Sequence, residues 1–148
     1  MVESWDVIIV GGGVIGSASA YFLAANPDFR GRVLVIERDP TYQNGSTGRS
    51  VGGIRQQFST PENVVMSQFA AEFLESIGDT LAVDEEPAEV PFQRNGYLIL
   101  ASDDGRATLL DNVSIQHANG ATTQVLEASD LNTRFPWLNT DDLSIGSF

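Results

Sequence analysis

Three glycines, one carboxylate and a single arginine are the residues of this 148-residue chain whose types and spacing could do chemistry. Gly11, Gly13 and Gly16 stand in G-x-G-x-x-G spacing directly behind the apolar run Val7-Ile8-Ile9-Val10. A turn of that kind binds a diphosphate. The first glycine allows the tight bend, the second lets the anion approach the backbone, and the third lets helix and strand pack closely. The N–H groups and positive dipole end of the helix that follows would hold the negative charge. Glu37 closes a second apolar run, Val33-Leu34-Val35-Ile36, and lies 37 − 16 = 21 residues past the last glycine. That is close to the ~20 residues at which an acid reaches a ribose hydroxyl. A carboxylate there would repel a 2′-phosphate, which leaves NAD or FAD as the dinucleotide. The alternative is a glycine-rich turn in another α/β protein with Glu37 a solvated strand end. The conjunction of strand, glycines, helix and acid speaks against it.

These residues need a strand–turn–helix–strand unit to position them, and the pattern supplies one. Both apolar runs read as buried parallel strands, and Ala20, Tyr21, Leu23 and Ala24 carry a helix between them. Behind Glu37 comes a long segment rich in glycine and hydroxyls, residues 38–53, with little periodicity. Connections of that length are usually functional or disordered. Here the segment leads into a good helix start, with Ser59 or Thr60 as cap, Pro61 in the first position and Glu62 in the first turn. Val64, Val65, Phe69, Phe73, Leu74 and Ile77 then form an apolar stripe that reads as core, and Gly78 a stop.

Downstream, residues 89–93 and 96–101 read as two strands of a hairpin turning at Asn95-Gly96. A helix opens at Ser102 or Asp103 and runs to Asn119-Gly120. His117, near its end, reads as a surface residue and not as a catalytic base. Thr123–Leu126 reads as a short strand, Ser129 as the cap of a brief helix over 130–135, and Trp137 and Leu138 as plugs of an apolar seam. The last residues, 143–148, read as a strand just beginning, whose apolar face lacks a partner. Repeats and low-complexity tracts are absent from the sequence.

Composition narrows the function classes. The net charge of −12 argues against nucleic acid and anionic membrane as partners. All eight basic residues are arginine, which reads either as composition bias or as adaptation to salt. With no cysteine and one histidine, a thiolate or histidine-rich metal site is excluded, and no metal is expected. No apolar run approaches the ~18–20 residues of a membrane span. The N-terminus has no basic or cleavable apolar region, so a cytoplasmic location is the expectation.

The motif GGGVIG…ERD followed by STGRSVGGIRQQFSTPEN resembles the FAD-dependent D-amino-acid oxidase-like family, which includes sarcosine and dimethylglycine oxidoreductases and glycine oxidase. NGYLILAS and LNTRFPWLNT fit a subgroup linked to assembly of a respiratory complex. The resemblance covers nearly the whole chain and implies an α/β fold. Its first part is a Rossmann-like FAD-binding unit with flavin loop and following helix, residues 1–84. The start of an antiparallel substrate domain follows over 85–148. Family members are considerably longer, so the chain reads as an N-terminal portion with an incomplete reaction centre.

The resemblance also assigns roles. Gly11, Gly13, Val14, Ile15 and Gly16 would hold the FAD pyrophosphate, Glu37 the adenosine ribose, and Arg38 would flank the adenine end. Ser46, Thr47 and Ser50 would contact the pyrophosphate or ribityl region, and Gly52 and Gly53 would let the chain pass the flavin ring. Arg55 would meet a substrate carboxylate, with a salt bridge to another acid as its alternative. The implied reaction is oxidation of a C–N bond in an amine or N-methyl amino acid, by hydride transfer to the flavin. The electron acceptor is open between oxygen and a carrier. A non-catalytic flavoprotein serving complex assembly and a NAD-dependent dehydrogenase are the other readings.

Overall fold

The computed structural model describes residues 4–148 and divides the chain into two compact units. One ends at Gly53 and the other runs from Ile54 to Phe148. In the first unit, β1 (Val7–Val10) and β2 (Val33–Ile36) are parallel, with Val7 opposite Val33 and Val10 opposite Ile36. The helix α1 (Val14–Ala25) crosses between them and packs on both. Both strands and the helix lie where the apolar pattern places them. Their burial does not follow the expectation. β1 alternates and the second half of β2 is exposed, instead of both being covered on two sides, and Val10 is 85% exposed. A parallel sheet needs cover on both faces, and α1 covers one.

In the second unit, α2 (Pro61–Glu75) starts as expected, with Thr60 at the cap position and Pro61 at the first. It ends at Ser76 instead of running to Gly78, and a one-turn helix, α3 (Ile77–Thr80), contains that glycine. The buried face of α2 is Val64 and Ala71, while Val65 and Phe69 of the expected core stripe are more than half exposed. Polar bonds explain why that face turns inward. Gln68 Nε2 reaches Asn119 O at 2.8 Å, which ties α2 to the end of α4 (Asp103–Ala118). Gln116 Nε2 of α4 holds Phe58 O at 3.2 Å, and Gln57 Nε2 holds Tyr97 O at 3.0 Å. These ties place α2 with the downstream residues, within the compact unit that begins at Ile54.

The expected hairpin is absent. Gly96 does take a left-handed φ of 78°, but residues 89–93 form no strand. The strand β3 (Ile99–Ala101) pairs instead with β5 (Ile145–Ser147), which also pairs with β4 (Val125–Glu127). The order is β3-β5-β4, antiparallel throughout. The final strand is therefore the centre of its sheet, with both edges satisfied and all three residues buried. The expectation of an unpartnered strand there is overturned by this long-range pairing, which local turn signals do not carry. Leu109 and Val113 of α4 pack on Ile145, with Ile99 and Ala101 alongside. The brief helix α5 (Ala128–Arg134) has Glu127, not Ser129, at its cap position and sends Leu131 wholly into the core. Trp137 plugs no seam: it is 76% exposed, its ring set edge-on to Phe135 at 5.9 Å.

Truncation of the fully buried Leu131 to alanine is expected to cost about 2–5 kcal/mol of stability. Trp137→Ala should cost about 1 kcal/mol, the worth of its single aromatic edge contact. Urea denaturation of the two variants checks the difference, and equal losses would contradict the core described here.

Candidate dinucleotide-binding site

The glycine turn is built by contact, residue by residue. Gly11 adopts φ 103°, a left-handed conformation that lets β1 reverse into α1, and its N–H closes onto Ile36 O of β2 at 2.8 Å. Gly16 is where α1 meets the strand end. A Cβ there would lie 1.9 Å from Gly11 O and 3.1 Å from Ile9 Cγ2, so any side chain would push helix and strand apart. Ser17, which the motif does not single out, fastens the turn from inside the helix by donating to Gly12 O at 2.7 Å.

The helix start is open to an anion. The first N–H groups of a helix have no intrahelical acceptor. That of Val14 donates to Thr47 Oγ1 at 3.1 Å, and those of Ile15 and Gly16 have no protein acceptor among the described residues. Val14 and Ile15 are well exposed here, which leaves their backbone accessible. Oriented N–H groups, the helix dipole and a hydroxyl at one helix start form an anion cradle.

Glu37 turns toward this cradle. Its Oε2 accepts the Gly12 N–H at 2.7 Å and its Oε1 accepts the Asp39 N–H at 2.8 Å. The N–H of Asp39, and after it that of Gly12, hold the Glu37 carboxyl below the ordinary glutamate range. Each oxygen keeps a lone pair, so the ionised carboxylate can still accept from two adjacent hydroxyls of a ribose. A bound dinucleotide therefore fits the residues present: cradle, close-packed glycine and acceptor stand on one side of one unit.

The structure brings Gly11, Gly13, Val14, Ile15, Gly16, Glu37 and Thr47 together. The others serve differently. Arg38 is exposed beside Glu37. Ser46 O takes the Arg49 N–H at 3.2 Å, and the Arg49 guanidinium binds Asn44 Oδ1 at 2.7 Å. Ser50 Oγ donates to Thr47 O at 2.9 Å and accepts from Gly52 N at 3.2 Å, so its hydroxyl braces the loop itself. Gly52 has φ 69°, and Gly53 ends the unit. Arg55 belongs to the second unit, with its guanidinium 4.6 Å above the Phe58 ring. No carboxylate pairs with it among the described residues; the ion pairs found there are Arg94–Glu75 and Arg106–Glu127.

The loop's organiser was not singled out by the motif. Asp39 accepts from Thr41 Oγ1 at 2.6 Å, Thr41 N at 3.1 Å, and Asn44 N and Nδ2 at 3.2 Å. The Thr41 hydroxyl and the Asn44 N–H hold its carboxyl below the usual aspartate range. The signal was legible as Asp-Pro-Thr, since aspartate commonly bonds the backbone two residues on.

The family model described as FAD dependent oxidoreductase matches residues 6–148. The chain belongs to that family. FAD is the family's cofactor. The chain is 48% identical over 149 residues to FAD-dependent oxidoreductase domain-containing protein 1 of Bos taurus, covering 99% of this chain and 31% of that one. The Xenopus laevis protein of the same name is 44% identical, with 99% and 30% covered. The chain thus spans about a third of the length of these relatives. Among solved structures, L-proline dehydrogenase from P. horikoshii superposes with a TM-score of 0.75 at 27% identity, over 99% of this chain and 37% of that one. Glycine oxidase from Geobacillus kaustophilus gives a TM-score of 0.69 at 22% identity, over 97% and 39%, which speaks for the fold. Among the described residues, no helix is long and apolar enough to cross a membrane, and no cluster of acids and histidine is arranged for a metal ion.

Two outcomes test this site. Gly16→Ala should abolish tight FAD binding by the full-length protein, because the new methyl cannot coexist with Gly11 O; flavin titration checks it. For Glu37, a depressed pKa means that its contribution is complete above the ordinary glutamate value and is lost as pH falls through the lowered one. FAD affinity should therefore stay level from neutrality down to the ordinary value and decline only below it. Glu37→Gln should weaken binding at neutral pH and remove that decline, since an amide cannot accept from both Gly12 and Asp39 without turning its own NH₂ toward one of them.

Proposed function

We propose that this chain is the nucleotide-holding part of an FAD-dependent oxidoreductase that oxidises the C–N bond of an amine or amino acid. The observation that carries this reading is the Glu37 carboxylate set 2.7 Å from Gly12 N, at the glycine turn of a chain in the FAD-dependent oxidoreductase family. The L-proline dehydrogenase neighbour supports the substrate class by its own name.

In this reading the open N–H groups at Ile15 and Gly16 and the Thr47 hydroxyl bind the pyrophosphate, and Glu37 accepts from the ribose. Bound FAD supplies the hydride acceptor for the carbon next to the amine nitrogen. Arg38 flanks the adenine end. Ser46 and Ser50 shape the loop through which Gly52 and Gly53 pass the flavin ring. Arg55 orients the substrate through its carboxylate. A guanidinium resting on an aromatic ring and, among the described residues, unpaired with acids is well prepared for that task.

The test is made on the full-length protein, purified gently. It is expected to carry FAD, shown by a flavin absorbance spectrum, and to turn over at least one of L-proline, glycine, sarcosine, dimethylglycine or a D-amino acid. Arg55→Ala should raise KM for the carboxylate substrate by roughly tenfold or more, with FAD content unchanged, and Arg55→Lys should recover part of that loss. A colourless protein that refuses added FAD would refute the reading. Intact FAD without turnover on any of these amines would favour a flavoprotein with a non-catalytic role in complex assembly.

A further inference from the structure

Tyr42 is the one non-glycine residue of the first unit, among those described, with a left-handed backbone, at φ 57°. An L-residue stays in that region only where its surroundings over-determine it. Here they do. Tyr42 N donates to Asp39 O and Tyr42 O accepts from Gly45 N, each at 3.0 Å, while the Asp39 carboxylate holds Thr41 and Asn44 on either side. Asp39 is itself anchored through its N–H to Glu37 Oε1. The whole arrangement delivers one side chain to one place. A Cβ built on Gly12 would meet Tyr42 Oη at 2.9 Å, and Tyr42 Cε1 and Glu37 Cβ at 3.3 Å each.

The phenol thus lies across the glycine turn, beside the carboxylate and close to the anion cradle. It is half exposed, and its hydroxyl has no hydrogen-bond partner among the described residues. A half-exposed aromatic ring with an unused O–H, held there by a strained backbone, has the chemistry to cover a nucleotide.

We propose that Tyr42 is a binding residue for the adenosine diphosphate half of FAD, its ring packing on the nucleoside and its hydroxyl donating a hydrogen bond to it. This rests on the reading of the glycine turn as the FAD site. It adds a contact from outside the glycine fingerprint, supplied by the loop behind Glu37.

The experiment uses the full-length protein stripped of flavin and titrated with FAD, and with ADP as competitor. Tyr42→Phe should weaken both by the same factor, roughly fivefold, the worth of one hydrogen bond. Tyr42→Ala should weaken both by roughly tenfold or more through loss of the ring contact. Tyr42→Gly, which relaxes the backbone, should leave the melting temperature of the flavin-free protein level or higher while still losing ADP affinity. If wild type binds FAD and all three variants bind FAD and ADP as wild type does, the role of Tyr42 is refuted and the FAD site stands. A loss of affinity in step with a fall in melting temperature, with Tyr42→Phe unaffected, would assign Tyr42 to holding the loop and equally overturn the proposal. If wild type itself takes up neither FAD nor ADP, the reading of the site falls first and this inference with it. Should Tyr42→Ala not fold, Tyr42→Phe decides alone.

Discussion

The carboxylate of Glu37 is the clasp of the first unit. One oxygen holds the N–H of Gly12 and the other the N–H of Asp39, so a single side chain joins the β1–α1 turn, the end of β2 and the start of the loop behind it. Backbone N–H groups are fixed donors, and an ionised carboxylate is an acceptor at both oxygens. The two bonds therefore orient Glu37 and, through it, the turn. Asp39 extends the same logic by one step, folding residues 41–44 around its own carboxylate and bringing Tyr42 across the turn. Site and scaffold are one hydrogen-bonded chain.

The second unit rests on a different constraint. Its organising strand is β5, which contributes three buried residues between β3 and β4. Gly146 sits at the middle of that strand because neighbours crowd it: a Cβ there would come 2.8 Å from Leu131 Cδ2 and 3.3 Å from Leu100 Cδ2. Small size at the centre lets α5 deliver Leu131 into the core, while α4 packs Leu109 and Val113 against Ile145. Arg106 closes the edge by pairing with Glu127 at 2.7 Å and reaching Ser144 Oγ at 3.3 Å. Such an exposed pair adds little stability, but it aligns the ends of β4 and β5.

The contrast between the units explains which parts of the sequence were legible. In the first, the partners of the motif fall inside one supersecondary unit. Val7–Val10, Gly11, Gly16 and Glu37 lie within one βαβ unit, where strand pattern, glycine spacing and the distance to the acid are all short-range signals. The geometry of the loop behind Glu37 was not legible. Thr47 gives its hydroxyl to the Val14 N–H at the helix start, whereas Ser50 spends its hydroxyl on the loop and Tyr42 arrives without a motif to announce it. In the second unit the decisive contacts join residues far apart. Asn95-Gly96 is a strong local hairpin signal, yet Ile99–Ala101 found a better partner 46 residues on, counted from Ile99 to Ile145. A strand with two edges satisfied in a buried sheet outweighs a two-stranded ribbon in water.

The order of residues by itself determined the strand–glycine–helix–strand unit, the acid one strand away, and the starts of α2 and α4. Each depends on backbone conformational preferences and side-chain periods that act within a few residues. Tertiary structure alone decided the rest: which face of α2 turns inward, that the last strand is central, and that Tyr42 crosses the glycine turn. Those outcomes are set by the pairing of buried polar groups and by the filling of space between distant segments. A linear pattern names the groups that need partners; packing in three dimensions chooses the partners they get.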